Sequence, residues 1–126
     1  MPMNEANLVE TPLLRGLERA LDQSARRHQV LASNLANVDT PGYRTRDIPA
    51  FAGEIERAMA GDEPPPFPPV AREVRGLMER PDGNNVSVER ESLLLAENQL
   101  RFTLAVAVLK SEFHRLALAI NGGTGS

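Results

Sequence analysis

The residues able to do covalent or metal chemistry are few and poorly placed. His28 and His114 are the only histidines, and there is no cysteine. Two isolated imidazoles without thiolates do not make a zinc site, which wants about four closely spaced ligands. Ser24 and His28 stand one helical turn apart, but a serine nucleophile needs an orienting third member, and none is in view. Asn85-Val86-Ser87 matches a glycosylation acceptor, yet Ser87 already has a use as a helix cap. Arg15, Arg19, Arg26 and Arg27 have no interleaved aromatics, so they do not read as a nucleic-acid surface. A PxxP pattern in the proline run is more economically a spacer. No glycine-rich phosphate loop is present. The pattern argues against an enzyme and implies no cofactor.

What remains is hydrogen-bonding chemistry, concentrated in one stretch. Asn34 and Asn37 lie three residues apart at the end of an amphipathic pattern, and Thr40-Pro41-Gly42-Tyr43 breaks it. The last carbonyls of a helix lack intrahelical donors, and asparagine amides can supply them. Pro41 fixes one backbone dihedral, and Gly42 supplies the permissive one that a tight reversal requires. Tyr43 can pack its ring while its hydroxyl stays bonded. Local stabilisation of the turn is the favoured role for these groups, ahead of direct contact with another subunit.

The elements that position this stretch are two long helices. Thr11-Pro12 is a helix start, with threonine as cap and proline at the first position. Leu14, Leu17, Leu21, Ser24, His28, Leu31 and Leu35 then alternate in steps of three and four, a heptad seam with two polar entries. Ser87 caps a second helix whose first turns carry Glu89 and Glu91. Its seam is Val88, Ser92, Leu95, Gln99, Phe102, Val106, Leu109, Phe113, Leu116 and Ile120, and Gly122-Gly123 is the expected stop. An antiparallel hairpin that sets Leu35 against Val88 places Ser24 opposite Gln99, Leu21 opposite Phe102 and Leu14 opposite Leu109. Between the helices, Ile48, Phe51 and Ile55 suggest a short amphipathic turn. Residues 64–69 favour polyproline II. Residues 70–78 suit a short strand or helical turn.

The expected fold class is mainly α: two long terminal helices pairing as an antiparallel, coiled-coil-like hairpin around an irregular, proline-rich middle. The expected division is a flexible N-terminus (1–11), an N-terminal helix (12–37), a turn and loop (38–51), a variable middle (52–86), a C-terminal helix (87–121) and a flexible tail (122–126).

Composition sets bounds on this reading. The 126 residues suffice for one domain, but no Trp, one Tyr and four Phe point to Leu/Ala/Val helix packing. A net charge of −3 gives no support for nucleic acid as a partner. No cleavable secretory signal is visible in residues 1–11. The longest purely apolar run, residues 104–109, falls far short of the ~20 residues that span a bilayer. The second helix carries Leu93, Leu94, Leu100, Leu104 and Val108 off its seam, and a helix that is apolar on two sides needs neighbours on both. This favours intermolecular packing. It also leads us to expect an isolated chain that is partly disordered, with much of the N-terminal helix mobile or irregularly packed, because long seams without partners do not offset the entropy of ordering.

Two ordered blocks carry a resemblance to a known family. The first runs His28-Gln29-Val30-Leu31-Ala32-Ser33-Asn34-Leu35-Ala36-Asn37, Thr40-Pro41-Gly42-Tyr43, then Arg46-Asp47-Ile48. The second is Asp82-Gly83-Asn84-Asn85-Val86, Glu89-Arg90-Glu91, Leu95-Ala96-Glu97-Asn98 and Leu100-Arg101-Phe102. Together they span roughly residues 16–51 and 82–120. They resemble the axial rod and hook proteins of the bacterial flagellum. The Arg-Asp-Ile continuation and the Asp-Gly-Asn-Asn-Val block favour the proximal rod branch. The resemblance implies a structural, self-assembling subunit whose terminal helices pack against other copies and other rod proteins. They form the wall of a hollow rod that transmits torque and encloses the export channel. It further implies contact with the rod-base adaptor FliE and the membrane-ring base, delivery by the flagellar type III export apparatus without a cleavable signal, and a place in the basal body within the periplasmic space. The signature residues it marks for assembly are Asn34, Asn37, Thr40, Pro41, Gly42, Tyr43, Arg46, Asp47, Asn84 and Asn85. The proline run at 64–69 is unusually rigid for the family's variable middle. Two rivals remain: a more distal rod or hook component, and a cytoplasmic helical adaptor or export chaperone that works as a discrete dimer.

Overall fold

The computed structural model describes residues 12–48 and 68–124. The expected capping by Thr11, the amphipathic turn through Phe51 and Ile55, and most of the proline run fall outside these residues. So do the flexible N-terminus (1–11) and the end of the tail. Four elements follow in order: helix α1 (Pro12–Ala36), strand β1 (Arg46–Asp47), strand β2 (Arg72–Glu73) and helix α2 (Val88–Thr124).

The helices pair antiparallel. Asn98 Nδ2 on α2 donates to the carbonyl of Ser24 on α1 at 2.8 Å, and Asn34 near the end of α1 bonds Glu91 near the start of α2. The register is close to the one expected, but Asn98 takes the place opposite Ser24, and Gln99 is exposed. An amide at position 98 reaches a buried carbonyl, whereas one at position 99 points to solvent.

Heptad arithmetic also misplaces several inward residues. His28 is exposed while Arg27 is buried, and Leu35 is half-buried while Asn34 is fully buried. The 3.6-residue period does not account for this shift, because it would carry the inward position to later numbers. Polar partners do: Arg27 is held inward by Asp47, and Asn34 by Arg46, Glu91 and Tyr43. Of the expected α2 seam, Ser92, Val88, Phe113 and Ile120 are exposed, whereas Leu95, Phe102, Val106, Leu109 and Leu116 are half-buried. Val86, just before the helix, is buried in place of Val88.

The physical reason for the exposed far end is a length mismatch. α1 has 25 residues and α2 has 37, about 38 and 55 Å of helix. Pro12 is twelve residues before Ser24, so α1 begins opposite about Lys110, and the rest of α2 overhangs it. α2 also runs through Gly122 and on to Thr124 instead of stopping before Gly122-Gly123. Glycine costs a helix only ~1 kcal/mol.

β1 and β2 form one antiparallel pair, Arg46 against Glu73 and Asp47 against Arg72, extended by Val74 N–H to Thr45 O at 2.9 Å. This pair ties the two ends of the middle segment together beside the helix turn.

Among the described residues six apolar side chains are buried, namely Leu14, Leu17, Ala20, Leu31, Ile48 and Val86, against nine polar ones. Each fully buried leucine contributes ~1.5–3 kcal/mol. So short an apolar core leaves the specificity of the hairpin to polar contacts. Meanwhile Val88, Leu93, Leu100, Leu104, Val108, Phe113, Leu118 and Ile120 all stand exposed on α2. By length and composition alone, Val88–Gly122 could cross a membrane: its most apolar window has mean hydropathy 1.3 and is 6% buried. Averaging over a window reaches this where the unbroken run of residues 104–109 does not. The same composition suits a helix enclosed by other protein helices.

This arrangement gives a first prediction. In the isolated chain, amide exchange beyond residue 111 of α2 should be roughly tenfold or more faster than at residues 88–98, because among the described residues α1 packs against the latter stretch. Uniformly strong protection along all of α2, measured by hydrogen exchange with mass spectrometry, would contradict it.

Candidate functional site

The buried polar groups converge where α1 ends and α2 begins. The Thr40-Pro41-Gly42-Tyr43 turn closes with Tyr43 N–H donating to Thr40 O at 3.2 Å, and Gly42 has φ +73°. Proline before a left-handed glycine is the type II pattern. The returning chain makes a second turn at Asp82-Gly83, where φ of Gly83 is +87°. The two turns abut: a Cβ built on Gly83 would lie 3.5 Å from the Cα of Gly42. That contact is tolerable, but the backbone conformation is not for an L-residue. Gly83→Ala is therefore expected to destabilise the hairpin by about 1–2 kcal/mol, from left-handed strain alone. A urea midpoint unchanged from wild type would refute it.

Asn34 is the centre of the site. It is fully buried, and its amide makes four bonds. Nδ2 donates to Arg46 O at 2.7 Å and Glu91 Oε2 at 2.9 Å. Oδ1 accepts from Tyr43 OH at 3.0 Å and Arg46 N–H at 3.2 Å. The side chain thus binds both backbone groups of Arg46, as a neighbouring β-strand would, and joins α1, β1 and α2 at one point. Glu91 is itself fully buried, and its other oxygen accepts from Arg90 at 2.7 Å.

Asn37 acts more locally. Its Nδ2 donates to Ser33 O at 2.8 Å, and its Oδ1 accepts from the Thr40 hydroxyl at 3.0 Å. Asn84 completes the helix end from the far block. Its Nδ2 donates to the carbonyls of Asn37 (3.0 Å), Val38 (3.0 Å) and Thr40 (2.9 Å), and its Oδ1 accepts from Val86 N–H at 2.8 Å. Two N–H bonds shared among three carbonyls satisfy groups that a helix C-terminus leaves open. Asp82 Oδ1 accepts from Asn84 N–H at 2.9 Å, which shapes the turn that presents it. The Arg80 guanidinium also reaches Val38 O. Asn85 Oδ1 accepts from Thr45 N–H at 2.7 Å. Ser87 caps α2 through its hydroxyl, which accepts from Arg90 N–H at 3.3 Å.

Two arginines brace this knot. Arg27 grips Asp47 bidentately, with both contacts at 2.9 Å and side chains 10% and 17% exposed. The hydrogen bonds to Asp47 hold the Arg27 guanidinium above its ordinary pKa against the opposing effect of burial. A cation with a raised pKa keeps its contribution until the pH climbs to its strongly alkaline unfolded value, so this grip does not weaken anywhere in the neutral range. Arg44 donates to Glu73 at 2.8 Å, Glu79 at 2.5 Å and Gly83 O at 3.0 Å, stapling β2 and the second turn to the first. Its pKa is likewise raised, chiefly by the hydrogen bond to Glu73.

The structure thus brings Asn34, Asn37, Thr40, Gly42, Tyr43, Asn84, Asn85 and the backbone of Arg46 into one network, with Asp47 at its edge. Pro41 is exposed and shapes the turn only through its backbone. Sequence reasoning missed Arg27, Arg44, Thr45 and Asn98. It set Arg27 aside among arginines without interleaved aromatics and took Glu91 for a dipole acid. An acid and an asparagine 57 residues apart carry no local signal of their bond. Among the described residues, no three His, Asp or Glu side chains cluster as metal ligands.

Comparison with known proteins places this knot in a family. Residues 14–44 match the family model described as flagella basal body rod protein. Over 130 aligned residues the chain is 33% identical to the flagellar basal body rod protein FlgB of Salmonella typhimurium and 30% identical to that of Escherichia coli; each alignment covers 87% of this chain and 94% of the relative. The FlgB of Bacillus subtilis is 25% identical over 123 residues, with the same coverage.

Proposed function

Since the chain belongs to the FlgB family of flagellar basal body rod proteins, and so is a structural rod subunit of the flagellum that assembles with other basal body components, we propose that it builds the proximal part of the rod. It does so through its two terminal helices, within residues 12–37 and 87–121. The rod it forms transmits torque and encloses the export channel. Its neighbours are copies of itself, other rod proteins and, at the base, the adaptor FliE. It reaches the periplasmic space through the flagellar type III export apparatus, without a cleavable signal.

The observation that carries this reading is the contrast between the two ends of the hairpin. The head is locked by a polar network that leaves few groups free for catalysis. The long α2 helix meanwhile presents eight large apolar side chains to solvent. Each such side chain gains ~1.5–3 kcal/mol when covered, and a rod wall supplies that cover. The role is assembly rather than catalysis.

The test is deletion of the gene in the native bacterium, followed by electron cryotomography of the envelope. Loss of the rod above an intact membrane ring, restored by the wild-type gene, is the expected result. An intact rod with only a defective distal structure would move the subunit further out along the axis. Normal flagella would favour a cytoplasmic adaptor.

A further inference from the structure

The fold uses only half of Arg46. Its backbone is bound on both sides by Asn34, and its Cα faces Glu73 across the strand pair. Its side chain is exposed and meets no carboxylate among the described residues, whereas Arg27, Arg44 and Arg90 all do. That unmatched guanidinium stands on a groove of about 600 Å³ whose walls are partly apolar, from Val30, Tyr43 and Ala71, and partly polar, from Gln29, Ser33 and an Arg44 already paired with Glu73 and Glu79. A cation beside partly apolar walls fits a carboxylate flanked by apolar side chains.

One surface of the same chain has that form. Leu93, Glu97, Leu100 and Leu104 follow in steps of four, three and four along one face of α2. The three leucines are 60%, 61% and 57% exposed. Glu97 is exposed and makes no hydrogen bond or ion pair among the described residues; it lies near enough to Arg27 to favour that cation, but Asp47 already fills the Arg27 fork.

We infer that the groove receives the Leu93, Glu97 and Leu100 edge of α2 from a second copy of this chain, with Arg46 meeting Glu97. This rests on the rod reading and names its contact. The two surfaces differ, so the interface is heterologous: each copy offers a groove to one neighbour and an edge to the other, which builds a ring or a helical wall rather than a closed pair.

The absence of native cysteine makes the test clean. A chain carrying Gln29→Cys and Leu100→Cys together replaces the wild type, and basal bodies are purified and oxidised. A ladder of disulfide-linked multimers is expected from the double variant and not from either single one. In that background Arg46→Glu or Glu97→Arg should each cut the ladder at least about tenfold, and the two together should restore it. Circular dichroism should show Arg46→Glu unchanged in helix content, since the fold does not use its side chain. Basal bodies that contain the chain but give no ladder overturn the inference and leave the rod reading standing. A crosslink from Gln29→Cys to a different rod protein does the same, assigning the groove to that protein. A chain missing from basal bodies altogether overturns the rod reading with it.

Discussion

Asn34→Ala is expected to destabilise the hairpin by about 3–5 kcal/mol, the largest effect of any single substitution in the knot. The truncation removes four hydrogen bonds at a position with no exposure. More costly than the lost bonds are the partners left behind. The backbone N–H and C=O of Arg46 lose their strand-like pairing, and the buried carboxylate of Glu91 keeps only Arg90. A buried polar group without a partner costs about 1–3 kcal/mol, and a charged one more. Native domains hold only about 5–15 kcal/mol in reserve, so the variant should lose a large share of its stability. Asn34→Asp sharpens the test. It keeps the shape and the acceptor oxygen but replaces two donors with a carboxylate facing Glu91 and the Arg46 carbonyl. It should be at least as damaging as alanine. Urea unfolding followed by the helical dichroism signal decides it: a loss below about 1 kcal/mol for either variant would show that the network relaxes around the gap, and the role given to Asn34 would fall.

Asn84→Ala is expected to cost about 2–4 kcal/mol, by a different route. Its amide serves three carbonyls at the end of α1 and fixes Val86 N–H at the approach to α2. Without it those carbonyls are left to the Arg80 guanidinium and to whatever water can enter. The lesion should therefore be local. Amide exchange should accelerate at residues 37–45 and 84–88 while the middle of both helices stays protected, in contrast to the general destabilisation expected for Asn34→Ala. Asn84→Asp should recover little, since the aspartate retains the acceptor for Val86 N–H and loses the donors. Equal acceleration throughout both helices would refute the local role.

Much of this was legible beforehand because it is local. Pro12 at a helix start, the Pro41-Gly42 reversal and the Ser87 cap each follow from one residue's backbone preference or a side chain reaching three positions along. The alternating steps of Leu14, Leu17 and Leu21 and of Leu95, Phe102 and Leu109 announced two long helices, whose antiparallel pairing entered only as an expectation. Asn84 and Asn85 stood out as a block, but their acceptors did not. The exposure of Phe113 and Ile120 was hidden for another reason: a periodic seam shows that a face is apolar, not that a partner lies opposite it.

The sequence by itself determined two amphipathic helices, the turn that ends the first and the cap that starts the second. Backbone propensity and heptad spacing act within a few residues, and those are readable from order alone. Only the tertiary structure decided that Arg27 and Asn34 turn inward in place of His28 and Leu35, that Asn98 rather than Gln99 meets Ser24, and that Arg46 lends its backbone to the fold while its guanidinium faces out. Those choices rest on groups 12 to 74 residues away, among them the Arg46 backbone, Asp47, Glu91 and the Ser24 carbonyl. A buried polar atom takes whichever partner the folded chain brings within about 3 Å, and that pairing exists only once the register of the hairpin has set the distance.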